Sequence, residues 1–157
     1  MICNATPLIC LSRINQLELL EKCFREIIIP NAVREEVLVM DKPGHIVFNE
    51  ALKKGWIKII EPKEISDFGL GKGENSAISL AKENKDKLII DDALAIKLAQ
   101  ALNIQTLRTT TLLFMCLEKK IINKKQAITI LDKLVDAGYY IAPKYYSALL
   151  TKLSDCS

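Results

Sequence analysis

Lys87-Leu88-Ile89-Ile90-Asp91-Asp92 is an apolar run that stops abruptly on two acids. Its length and its flanks suit a buried strand of a parallel sheet. The acids then open a helix with Ala95, Leu98 and Leu102 on one face. The same grammar holds on either side. Upstream, Gly69-Leu-Gly-Lys-Gly73 leads into a helix from about Glu74 with Ala77, Ile78 and Ala81 aligned, and downstream Ile104–Leu107 is a short strand.

Earlier in the chain, Met1–Cys3 is a short apolar start, and Thr6-Pro7 reads as an N-cap with Pro at the first helical position. One helix then carries Leu8, Leu11, Ile14, Leu17 and Leu20. Ile27–Ile29 is a strand closed by Pro30, and Asn31 is placed to cap a helix through Val33, Val37 and Met40. A helix over roughly Ile46 to Lys54 ends at Gly55, and Trp56–Ile60 is a strand. Glu61–Leu70 is a polar loop, and three helical segments near 110–119, 123–136 and 143–153 finish the chain. Five strands separated by helices imply right-handed crossovers and a mainly parallel sheet covered on both faces. The expected fold is one α/β domain over residues 1–153, with 113–153 as its helical C-terminal extension.

At 157 residues and half apolar, the chain is long enough for one domain with a full core. A net charge of +3 is too small for a histone-like binder. The opening Met1–Leu11 lacks a basic leader and contains Asn4 and Pro7, so it reads as neither signal peptide nor membrane span. Five scattered cysteines without a CxxC point to a cytoplasmic protein, with Cys3, Cys10, Cys23 and Cys116 as small buried residues. His45 is the only histidine, which argues against zinc hydrolysis and histidine-dependent triads.

Ligands of an open parallel sheet bind beyond the carboxyl ends of its strands. Asn4 follows the first strand there and Asp91-Asp92 the fourth; Glu74 opens the helix before the fourth, and Glu35-Glu36 lie a turn into the helix after the second. Gathered into one pocket, such carboxylates repel one another until a cation relieves them. Oxygen-only ligands favour Mg2+ or Mn2+, and the chemistry that suits the pocket is phosphodiester hydrolysis. Each residue also has an ordinary structural reading. Asp91 is placed to cap its helix, Glu74 to complement a helix dipole, and Glu35 and Glu36 to sit solvated on a surface.

These stretches resemble a known family. Asn4-Ala-Thr-Pro-Leu-Ile9, Ile27-Ile-Ile-Pro30 with Val33 and Glu35-Glu36-Val37, Gly71-Lys-Gly-Glu74, and Leu88-Ile-Ile-Asp91-Asp92 follow the order and spacing of PIN domains. The chain is most similar to a VapC-like branch, from residue 1 to about 113 and more weakly through Ala137-Gly138 and Pro143. The resemblance implies a PIN-like, mainly parallel five-stranded sheet flanked by helices. It also implies an Mg2+- or Mn2+-dependent ribonuclease, which in many members is the toxin of a toxin–antitoxin pair.

By position, Asn4, Glu36, Glu74 and Asp92 correspond to the catalytic set, and Glu74, Asp91, Asp92 and Asn4 to the metal ligands. The choice between Asp91 and Asp92 stays open. Asn4 replaces the usual first Asp with an amide, which still offers an oxygen but holds a cation less tightly. Arg108-Thr109-Thr110-Thr111 departs from the branch's Gly-Thr-x-Gly. Thr6, Arg108 and Thr109 are the expected substrate contacts, with a helix N-cap as the other reading of Thr109. The partners implied are RNA, a small antitoxin and a second copy in a homodimer, with no membrane.

Gly69-Leu-Gly-Lys-Gly73 lacks both the spacing and the terminal Ser/Thr of a phosphate loop, and reads as a turn into Glu74. All four tyrosines fall between Tyr139 and Tyr146, where packing of the last helix competes with stacking on RNA bases. The lysines near 119–125 read as a solvated face, with an RNA backbone or an acidic partner as the alternative. A rival function is a PIN fold silenced by Asn4 that only binds RNA or protein.

Overall fold

The computed structural model describes residues 1–40 and 44–156. Strands β1 (Ile2–Cys3), β2 (Ile27–Ile29), β3 (Ile57–Ile59), β4 (Leu88–Ile89) and β5 (Thr106–Leu107) form one sheet in the order β3-β2-β1-β4-β5. Every pairing is parallel, with Ile2 opposite both Ile28 and Leu88. The helices are α1 (Ala5–Arg13), α2 (Glu18–Phe24), α3 (Asn31–Leu38), α4 (Gly44–Lys54), α5 (Lys72–Asn84), α6 (Ala93–Ala101), α7 (Thr109–Glu118), α8 (Lys124–Asp136) and α9 (Pro143–Asp155). The five strands and the all-parallel topology agree with the sequence reading.

The chain builds outward from β1 through β2 to β3, then crosses to the other side of β1 for β4 and β5. The direction therefore reverses between β1 and β4, and the crevice beyond their carboxyl ends is where this architecture binds ligands. Ile2, Leu88, Ile89 and Ile90 are fully or almost fully buried, as central strands covered on both faces must be. Phe48, Leu80, Leu112 and Leu131 carry the same core across the sheet and into the C-terminal helices. Cys3, Cys10, Cys23 and Cys116 are free thiols inside it, as expected.

Several local expectations are corrected. The single helix expected through Leu20 is two, because Asn15 takes a left-handed conformation (φ 55°) that ends α1. The break re-aims the chain so that Leu17, Leu19 and Leu20 all enter the core. Thr6 is not the first cap. Asn4 is the N-cap residue of α1, with extended backbone, and Pro7 sits in the first turn, where its missing N–H still costs nothing. Pro30 holds the N-cap position of α3, freeing the Asn31 side chain to accept from Arg34 and donate to Glu35. The helix expected from Ile46 already includes Gly44, the first described residue of that segment, whose close approach to Met40 and the Arg13 backbone leaves little room for a side chain.

The C-terminal segment is helical as expected and fastened to the rest. Asn123 and Gln126 form a reciprocal capping box at the start of α8. α7 packs against both α2 and α8, and α8 packs against α9.

Candidate active site

Because each crossover is parallel, residues that follow strands and residues in first helical turns collect at the carboxyl edge of the sheet. Asn4, directly after β1, is 2% exposed, and its backbone N–H donates to the Ile89 carbonyl at 2.9 Å. That bond fixes the backbone across the β1–β4 junction. The side-chain Oδ1 is buried without a partner. An orphaned acceptor of this kind carries a desolvation cost of about 1–3 kcal/mol unless something donates or coordinates to it.

Across the junction the two aspartates have different neighbours. Asp92 is the N-cap residue of α6 and accepts from the Ala95 N–H at 2.8 Å, with an exposed side chain. Asp91 is half-buried and turned inward. Its Oδ1 accepts from the Thr109 N–H at 3.0 Å and the Tyr139 hydroxyl at 2.5 Å, and its Oδ2 from the Thr109 hydroxyl at 2.7 Å. The charge of Asp91 reaches α1 and β1. After burial it is the next cause raising the Cys10 thiol to about 11 and Cys3 well above its ordinary value.

A second acidic pair lies between α3 and α5. Glu36 accepts from the Gly73 N–H at 3.1 Å, one of the donors left orphaned at the start of α5. Gly73 makes the approach feasible: a Cβ there would stand 2.9 Å from the Glu36 carboxyl carbon. Glu74 follows in the same first turn, half-buried. Burial raises the Glu36 carboxyl above its ordinary value, the Glu74 charge adds to the rise, and the Gly73 N–H partly offsets it. The two carboxylates therefore sense each other. Glu35 is exposed and faces Asn31 instead.

The expected substrate contacts separate in the same way. Arg108 is exposed as the N-cap residue of α7 and lies near the Asp91 carbonyl (3.4 Å). Thr6 is exposed in the first turn of α1. Thr109 is fully buried with its hydroxyl committed to Asp91. His45 lies on α4 beside Asn49.

A family model described as a PIN domain matches residues 1–155. The chain belongs to the PIN-domain family. No curated protein and no solved structure matches it. PIN membership places the chain in the nuclease class, among proteins that handle nucleic acid and typically use divalent metal ions. Among the described residues of this PIN domain, no three His, Cys, Asp or Glu side chains stand close enough to hold an ion by themselves. The orphaned Asn4 oxygen and the Asp91 carboxylate at one place, and Glu36 with Glu74 at another, offer oxygen alone, the donor chemistry that suits a divalent cation such as Mg2+ or Mn2+.

Two participants were not legible beforehand. Tyr139 reads in sequence as packing or as a base-stacking ring, and nothing local points to a partner 48 residues away. Gly73 reads as part of a turn; the signal was its place one residue before Glu74, in a helix start whose N–H groups need acceptors.

Proposed function

We propose that this PIN domain is a metal-dependent endoribonuclease, one unit over residues 1–153, and the toxin of a toxin–antitoxin pair. The observation that carries the nuclease reading is the orphaned, buried Asn4 oxygen at the β1–β4 switch point, where Asp91 follows the neighbouring strand. Bound there, Mg2+ or Mn2+ would neutralise developing phosphate charge and activate water. Asn4 offers a neutral oxygen, while Asp91, Glu36 and Glu74 supply the negative charge that draws the cation in. Thr109 fixes the Asp91 carboxylate from behind. Arg108 and Thr6, both exposed, would contact the RNA, with Arg108 pairing a backbone phosphate. Asp92 supports the site by capping α6.

The toxin role, a small protein antitoxin, a homodimer and a cytoplasmic location extend the resemblance of the motifs to the VapC-like branch. No described helix is long and apolar enough to cross a membrane. The experiment is Mn2+- and Mg2+-dependent cleavage of a structured RNA pool, with Glu74→Gln in parallel. Cleavage that disappears with chelator and with the variant supports the nuclease. Folded protein that binds RNA without cutting it supports the second reading, a binding module weakened by the amide at Asn4.

A further inference from the structure

Asp91 is the side chain that the rest of the protein works hardest to orient. Both of its oxygens accept hydrogen bonds, two from Thr109 and one from Tyr139. The Thr109 bonds are local to the β4–β5 edge. Tyr139 comes from the turn between α8 and α9, at the far end of the sequence. That turn is built to deliver it: Gly138 takes φ +99°, and the Tyr139 N–H donates back to the Leu134 carbonyl at 2.9 Å. Tyr139 is 6% exposed, and its hydroxyl donates to Asp91 Oδ1 at 2.5 Å.

We propose that Tyr139 is a positioning residue of the site, through which the C-terminal helices set the orientation of Asp91 toward a divalent cation. This rests on the metal-site reading above. A carboxylate that can swing presents its lone pairs to a cation only part of the time. Donors on its outer side confine it and so raise the fraction oriented for binding. Three donors around one carboxylate leave Asp91 little freedom. Removing the Tyr139 hydroxyl leaves each oxygen with a single bond, both from Thr109, and widens the range of orientations the carboxylate samples.

The test is Mn2+ binding measured directly, by electron paramagnetic resonance of the free ion and by calorimetry, on wild type and Tyr139→Phe. The Phe ring preserves the packing. Loss of an outer-shell partner typically weakens metal affinity about 10–100-fold, and that is the shift expected. Tyr146→Phe is the control for a merely structural effect. Its hydroxyl bonds Asp132 on the surface of the same C-terminal segment, so its loss leaves Mn2+ affinity unchanged. In an Asp91→Asn background the Tyr139→Phe effect should vanish, because the two residues act as a unit. Wild-type Mn2+ affinity in Tyr139→Phe overturns the proposal while leaving the metal site standing. Failure of the folded wild type to bind Mn2+ overturns the metal-site reading, and this role with it. Equal loss in Tyr146→Phe also overturns it, since the effect would then be one of general loosening.

Discussion

Replacing Gly73 by Ala puts a methyl group where the Glu36 carboxylate now lies. The new Cβ would be 2.9 Å from the carboxyl carbon and 3.3 Å from Oε2, with the other oxygen nearer still. Glu36 must swing away and lose its 3.1 Å bond from the Gly73 N–H. A hydrogen bond to a charged group contributes about 1.5–3 kcal/mol, and the low end applies because Glu36 is only half-buried and can turn to water. Against that, Ala in a helix is favoured over Gly by about 0.5–1 kcal/mol. The net destabilisation is about 1 kcal/mol, a fall of roughly 2–4 °C in Tm for a chain of this size. Function should suffer more than stability, since displacing one carboxylate of the set lowers metal affinity and cleavage about 10–100-fold. Thermal unfolding and Mn2+-dependent RNA cleavage on the same preparation separate the two effects. A Gly73→Ala protein with wild-type cleavage would refute the reasoning, because the position of Glu36 would then be irrelevant to the site.

Glu74→Gln should abolish cleavage and, without metal at pH 7, raise Tm slightly. Glu36 has a raised carboxyl, so the folded state loses stability as pH rises from the ordinary carboxylate range through that raised value. Removing the Glu74 charge relieves part of this. Solvent screening limits the gain to no more than about 1 kcal/mol, and the gap between variant and wild type closes near pH 4 as Glu36 protonates. A variant less stable than wild type at both pH values would show that the two acids do not repel. Asn4→Asp places a carboxylate where the buried oxygen has no partner, which destabilises the apoprotein by at least about 1–3 kcal/mol and should be reversed by millimolar Mn2+. A Tm deficit that metal leaves untouched would remove Asn4 from the site. Asp92→Ala should lose about 0.5–2 kcal/mol of cap energy with cleavage within about twofold of wild type. Asp91→Asn should stay folded but lose about 1–3 kcal/mol with its charge-assisted bonds, and should cut at least about 100-fold more slowly; unchanged cleavage would return Asp92 to the site.

The order of the strands, the parallel sheet and most of the helices were legible in the sequence. Each rests on local chemistry: apolar runs such as Leu88–Ile90 stop at polar residues, and helical faces repeat at a fixed period. Helix starts were less legible. Thr6 and Asn31 both look like caps, yet Asn4 and Pro30 hold those positions, because the backbone leaves each strand one or two residues sooner than side-chain preference suggests. Asn15 ended a helix whose apolar spacing continued past it, since burial of Leu17 and Leu20 required a change of direction.

The division between Asp91 and Asp92 was beyond the sequence altogether. Adjacent carboxylates have the same local propensities, and only the location of donors elsewhere in the fold distinguishes them. Ala95, three residues on, takes Asp92; Thr109 and Tyr139, brought in by β5 and by the α8–α9 turn, take Asp91. Sequence by itself determined that a parallel α/β sheet would carry acids at its carboxyl edge, because strand and helix signals are local and connection rules are few. Only the tertiary structure decided which donors each acid meets, because those hydrogen bonds join residues far apart in the chain.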